Sequence, residues 1–104
     1  MNSGIILVAS LFIHPGREVE FRQFETEAAR IMKKYGGRVE RVIRPHASAA
    51  PDSSPYEVHI VSFPSVERFE AYRGDADLTK LAPLRQSAIT RTEIIIGEEG
   101  ESYF

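Results

Sequence analysis

The chain opens on an almost unbroken apolar run, Gly4-Ile5-Ile6-Leu7-Val8-Ala9-Ser10-Leu11-Phe12-Ile13, whose composition suits a strand buried on both faces. His14-Pro15-Gly16 breaks it, because proline disfavours helical geometry in the residue before it and suits the first turn of a helix. Phe21, Phe24, Ala28, Ile31, Met32 and Tyr35 then recur at helical spacing, which predicts an amphipathic helix ending near Tyr35. Its charges run from Glu18 and Glu20 to Arg30, Lys33 and Lys34, the order that complements the helix dipole. Gly36-Gly37 supplies a left-handed stop. Residues 38–44 read as a second strand closed by Pro45, and the Pro-, Ser- and Ala-rich stretch from His46 to Pro55 as a long loop.

A third strand from Tyr56 to Phe63 leads through Pro64 to Ser65, the expected N-cap of a shorter helix carrying Val66, Phe69 and Tyr72. Gly74 ends that helix. Asp75 and Pro83 predict two further helical pieces, 76–81 and 82–88, before a last strand over 90–97. Strand, helix, strand, strand, helix, strand is the βαββαβ order of an α+β, ferredoxin-like fold, a four-stranded antiparallel sheet with helices on one face. Residues 1–104 read as one such domain, long enough to bury its own core.

Alternate residues of a strand point to opposite faces. In the third strand Glu57, His59, Val61 and Phe63 form one set, and in the last strand Arg91, Glu93 and Ile95 do. The first strand is apolar on both sides, with Val8 and Phe12 on one of them. We expect these residues to line the open face of the sheet, interrupted by Glu57, His59, Arg91 and Glu93. Such a face exceeds what a monomer usually leaves in water, so a second copy is expected to cover it, sheet against sheet, in a homodimer enclosing a partly polar barrel. The alternative cover is the long loop or the tail from Glu98 to Phe104.

Composition narrows the function. The sequence is 42% hydrophobic and 27% charged and contains no cysteine, which excludes disulfides, thiolate metal sites and cysteine nucleophiles and fits a reducing cytoplasm. The opening apolar run lacks the basic region and cleavage site of a signal peptide and is too short to span a bilayer. With a net charge of −2 and no dense Lys/Arg cluster, neither nucleic acid nor a membrane is an expected partner. Arg38, Arg41 and Arg44 are interrupted by Glu40. No metal site and no cofactor are expected, because the histidines lack ligand spacing and no cofactor motif is present.

His59 is the sharpest candidate for chemistry, as a general base with Glu57 beside it and Glu93 of like parity on the last strand. A structural histidine bonded across a dimer is the competing reading. The hairpin is expected to bring Arg41 near His59. His14, at the end of the first strand, is placed at a pocket mouth or in a plain turn. Tyr72 and Arg85 are candidates to orient a ligand's carboxylate or enolate. The competing reading makes Tyr72 a core residue and pairs Arg85 with Asp75 or Asp77.

Lys34-Tyr35-Gly36-Gly37-Arg38, Phe63-Pro64-Ser65 and Leu81-Ala82-Pro83-Leu84-Arg85 stand in an order that resembles the domain-of-unknown-function family numbered thirteen-thirty, within the dimeric α+β barrel superfamily. The resemblance covers the chain from the first strand to Gly97. It implies a ferredoxin-like subunit whose sheet pairs with another, among relatives that include cofactor-independent monooxygenases, haem-degrading enzymes, lactone isomerases and ligand-sensing domains. It carries over no catalytic residue. Two functions stay open: a cofactor-independent, monooxygenase- or isomerase-like enzyme acting on a small hydrophobic molecule, and a non-catalytic module that binds a small molecule or a protein through the loop and the aromatic tail.

Overall fold

A computed structural model describes residues 4–46 and 54–103; most of the expected 46–55 loop lies outside the described residues. The elements are β1 (Ile5–Ile13), α1 (Glu18–Lys33), β2 (Arg38–Ile43), β3 (Glu57–Phe63), α2 (Val66–Arg73), α3 (Ala76–Lys80), α4 (Ala82–Ala88) and β4 (Ile89–Gly97). The strands form one antiparallel sheet in the order β2-β3-β1-β4, the ferredoxin-like arrangement, with the helices on one face. Among the described residues no helix is long and apolar enough to cross a membrane.

Each helix ends where its local chemistry dictates. Gly36 takes φ +76° after α1, a conformation that costs glycine nothing. The Ser65 hydroxyl accepts from the Arg68 amide at 3.1 Å and caps α2. The Asp75 carboxylate caps α3 by accepting from the amides of Asp77 and Leu78. Its other oxygen takes the Tyr35 hydroxyl at 2.5 Å and the Lys34 ammonium at 3.0 Å. These bonds, from Tyr35 first and Lys34 next, hold the Asp75 carboxyl well below its ordinary range. One buried carboxylate thereby ties the end of α1 to the start of α3.

The core divides into two clusters between sheet and helices. One joins Ile5, Leu7, Val61 and Phe63 to Met32 and Phe69; the other joins Leu11 and Ile89 to Phe21, Phe24, Ala28 and Ala88. The strand register decides which parity set faces the helices. Leu7 lies opposite Val61, Ala9 opposite His59 and Leu11 opposite Glu57, and all four inward residues of β3 are buried. Glu57, His59, Val61 and Phe63 thus face the helices, which corrects their expected place on the open face.

The open face instead carries Ile6, Val8, Val58 and Ile60, together with Arg91, Glu93 and Ile95 of β4. Phe12 shares it under the Arg91 guanidinium, 3.8 Å from the ring centroid. Residues 98–103 are exposed throughout, so the tail does not shield this surface.

Gly37 is buried where the chain leaves α1 for β2. A Cβ there would run into Met32 and come within 2.5 Å of the Phe63 ring. Gly37→Ala is therefore expected to destabilise the fold by about 1–3 kcal/mol, read as a lower urea midpoint with unchanged slope.

Candidate active site

Three of the inward-facing side chains of β1, those of Ile5, Leu7 and Leu11, are large, and Ala9 between them is small. Ala9 stands between His59 on β3 and Ile94 on β4, and a methyl group cannot fill the space under the helix layer. A cavity of about 430 Å³ results, within the range of small-molecule sites. Leu7, Ala9 and Leu11 form its floor, Phe24, Ala28 and Met32 of α1 one wall, and Phe69, Tyr72, Leu78 and Ala82 of α2 to α4 its roof. The lining is predominantly apolar. Its polar members are Glu25, His59, Tyr72, Arg73, Thr79, Arg85 and Thr92.

His59 is held from behind. Its Nε2 lies 2.9 Å from Oε1 of the buried Glu57, whose other oxygen accepts from Arg44 at 2.5 Å. Arg44 in turn lies over the Tyr56 ring, 4.9 Å from the centroid. Burial pushes the Glu57 carboxyl up, but the hydrogen bonds from His59 and Arg44 outweigh it and leave Glu57 below its ordinary range. An ionised carboxylate only accepts, so Nε2 carries the proton. The other ring nitrogen, Nδ1, then faces Glu25 Oε1 across 3.6 Å, beyond hydrogen-bond distance.

Glu25 sits on the inward side of α1, between Phe24 and Ala28. Burial raises its carboxyl above the ordinary range; a protonated His59 and the Arg85 charge oppose that rise, and Glu57 adds to it. The result is a proton acceptor oriented by an ionised carboxylate, facing a second carboxyl whose proton is held more tightly than usual. This pairing can take a proton from a bound molecule and return it elsewhere.

The remaining candidates separate cleanly. Tyr72 and Arg85 join His59 at the cavity. Burial pushes the Tyr72 hydroxyl up to about 12, and its ring packs against Phe63 and Tyr35. Arg85 donates to the Thr92 hydroxyl at 3.0 Å and does not pair with Asp75 or Asp77.

Glu93 is on the opposite face of the sheet, beside Ser10 and 3.1 Å from Arg91, so its expected grouping with His59 is corrected. Arg41 is likewise on the open face: the register shifts between Val39 and Arg41, placing Arg41 opposite Ile60 and Val42 opposite His59. His14 is exposed beyond the end of β1, its amide donating to the Ala88 carbonyl at 2.8 Å, and does not line the cavity. Among the described residues no cluster of metal-ligating side chains is present.

Glu25 and Arg44 escaped the sequence reading. Glu25 follows Phe21 by four residues and precedes Ala28 by three, a carboxylate on the apolar stripe of a helix, and that was the available signal. Arg44 gave none, because its reach to Glu57 depends on the hairpin register.

The fold and this chamber define a class: a ferredoxin-like α+β protein with a ligand-sized cavity between sheet and helices. The sequence profile of DUF1330, a domain of unknown function, matches residues 7–98, and the chain belongs to that family. Among solved structures it is similar to a protein of unknown function, RPA0582, from Rhodopseudomonas palustris, with TM-score 0.80 and 15% identity over 98% of this chain and 86% of that one. It is also similar to SnoaB, a cofactor-independent oxygenase from Streptomyces nogalater, with TM-score 0.72 and 15% identity over 97% of each chain. A third is a dabb family protein with a ferredoxin-like fold from Mesorhizobium loti, with TM-score 0.66 and 14% identity over 94% of this chain and 98% of that one. At these identities the likeness is one of fold. No curated protein matches the sequence.

A carboxyl raised in the folded state loses stability as pH climbs from its unfolded value, about 4.3 for glutamate, through its folded one. Glu25→Gln is therefore expected to raise Tm at pH 7 and to leave it nearly unchanged at pH 3.5, where Glu25 is protonated folded and unfolded alike; equal shifts at both pH values would refute the assignment.

Proposed function

We propose that this protein is a cofactor-independent enzyme that moves a proton on a small, largely apolar molecule bound in the cavity. The observation that carries this reading is the arrangement of His59, with Nε2 fixed on Glu57 and Nδ1 turned toward Glu25 in an apolar chamber. Nδ1 takes a proton from an acidic C–H and leaves an enolate. Returning that proton to another carbon is an isomerisation, and attack of the enolate on dioxygen is the first step of an oxygenation. The fold likeness to a cofactor-independent oxygenase supports the second outcome, and the cysteine-free sequence favours the cytoplasm as the place of work.

The test is solvent deuterium exchange at the acidic C–H of enolisable ring ketones such as 2-tetralone, followed by proton NMR with no cofactor added. Exchange faster than in buffer is expected, falling about 10²–10⁴-fold in His59→Gln with the fold intact. Exchange that is no faster than buffer, or unchanged in the variant, leaves the non-catalytic binding module as the better reading.

The protein also functions, in this proposal, as a homodimer joined through the open sheet face. Ile95 and Ile43 there are 71% and 44% exposed, and Ile6, Val8, Val58 and Ile60 are only half-buried. Analytical ultracentrifugation is expected to give twice the chain mass, and Ile60→Asp to give a folded monomer. A wild-type monomer at tens of micromolar would rule the dimer out.

A further inference from the structure

The polar groups of the cavity are carried by different strands and helices. Glu25 and His59 stand on the α1 and β3 side, whereas Arg85 is fixed to Thr92 on β4. β1 runs between β3 and β4, so the backbones that carry His59 and Thr92 lie two strand spacings, roughly 10 Å, apart. Arg73 also borders the chamber, but its guanidinium is committed to Glu70 at 3.2 Å and lies over Phe69.

Arg85 differs: among the described residues no carboxylate lies within 4.0 Å of it. Arg85 is exposed, and the N–H donors that Thr92 does not take face solvent. The Tyr72 hydroxyl, on the same cavity, also has no hydrogen-bond partner among the described residues, and its ring is pinned between Phe63 and Tyr35. It interacts electrostatically with both Glu25 and Arg85 and stays protonated, hence a donor. An anionic oxygen group placed here gains a forked cation and a neutral donor.

We infer that the ligand is a ring-bearing apolar acid, its carboxylate held by Arg85 and Tyr72 and its body lying over Ala9 toward His59. The assignment of the His59 end to an acidic C–H rests on the proton-transfer reading; the carboxylate end stands on Arg85, Tyr72 and Thr92. The floor is what admits the rings, since any larger side chain at Ala9 would occupy the gap between His59 and Ile94.

The test compares 2-naphthoate with its uncharged amide, 2-naphthamide, by isothermal titration calorimetry on the intact protein. Naphthoate is expected to bind at least about tenfold more tightly than the amide, with a preference that shrinks at high salt. Arg85→Met, which keeps an apolar stem, is expected to bring the two within about twofold. Arg85→Lys retains the charge but loses the fork, and falls between. Ala9→Phe is expected to abolish binding of both probes, and His59→Gln to leave the naphthoate preference in place.

Equal affinities for the two probes, binding of neither, or a preference that survives Arg85→Met overturns the inference. A carboxylate preference without catalysed deuterium exchange sustains it while removing the proton-transfer reading. Catalysed exchange without the preference does the reverse.

Discussion

The arrangement of the site depends on how the Glu57 carboxylate is buried. A carboxylate taken out of water beneath a helix layer costs several kcal/mol, of the order found for buried ions, unless it is matched. Glu57 is matched on both oxygens, by Arg44 just past the end of the adjacent strand and by His59 from two residues along its own. That double match fixes the imidazole in one orientation and one tautomer. It also adds a negative charge near Glu25, which works with that side chain's own burial, the larger effect, to raise its carboxyl above the ordinary range. The base of the site is thus oriented by one buried charge, while the acid is raised chiefly by its own burial.

Space and charge come from different elements. Ala9 leaves room in a central strand of the sheet, while α2, α3 and α4 partly cover it in short segments. Asp75 keeps those segments in place by capping α3 and holding Tyr35 and Lys34 of the α1 terminus at the same time. Tyr35 packs in turn against Tyr72. The scaffold bond and the cavity wall therefore touch, and the tyrosine hydroxyl that faces the chamber is positioned by contacts that also hold the helix layer together.

Much of this was legible beforehand. The helix caps at Ser65 and Asp75, the glycine stop at Gly36 and the order of the elements follow from local chemistry, which short sequence windows contain. His59, Glu57, Tyr72 and Arg85 were legible as residues worth singling out. Their grouping was not. Glu93 was grouped with His59 by parity and Arg41 by the hairpin, but both sit on the other face, and Glu25 and Arg44 complete the site from elements whose contacts no local pattern specifies.

The sequence by itself determined where strands and helices form, that β1 is apolar on both sides, and which residues of a regularly paired strand such as β3 share a face. Only the tertiary structure decided which of those faces the helices cover. A period of two gives relative parity within a strand and nothing more. β1 offered only Ser10 as a polar marker, too weak to fix its phase, and the register shift between Val39 and Arg41 changed the phase of β2 partway along. Long-range pairing supplied the missing sign, and with it placed Glu57 and His59 in the chamber with Arg85, leaving Glu93 and Arg41 outside.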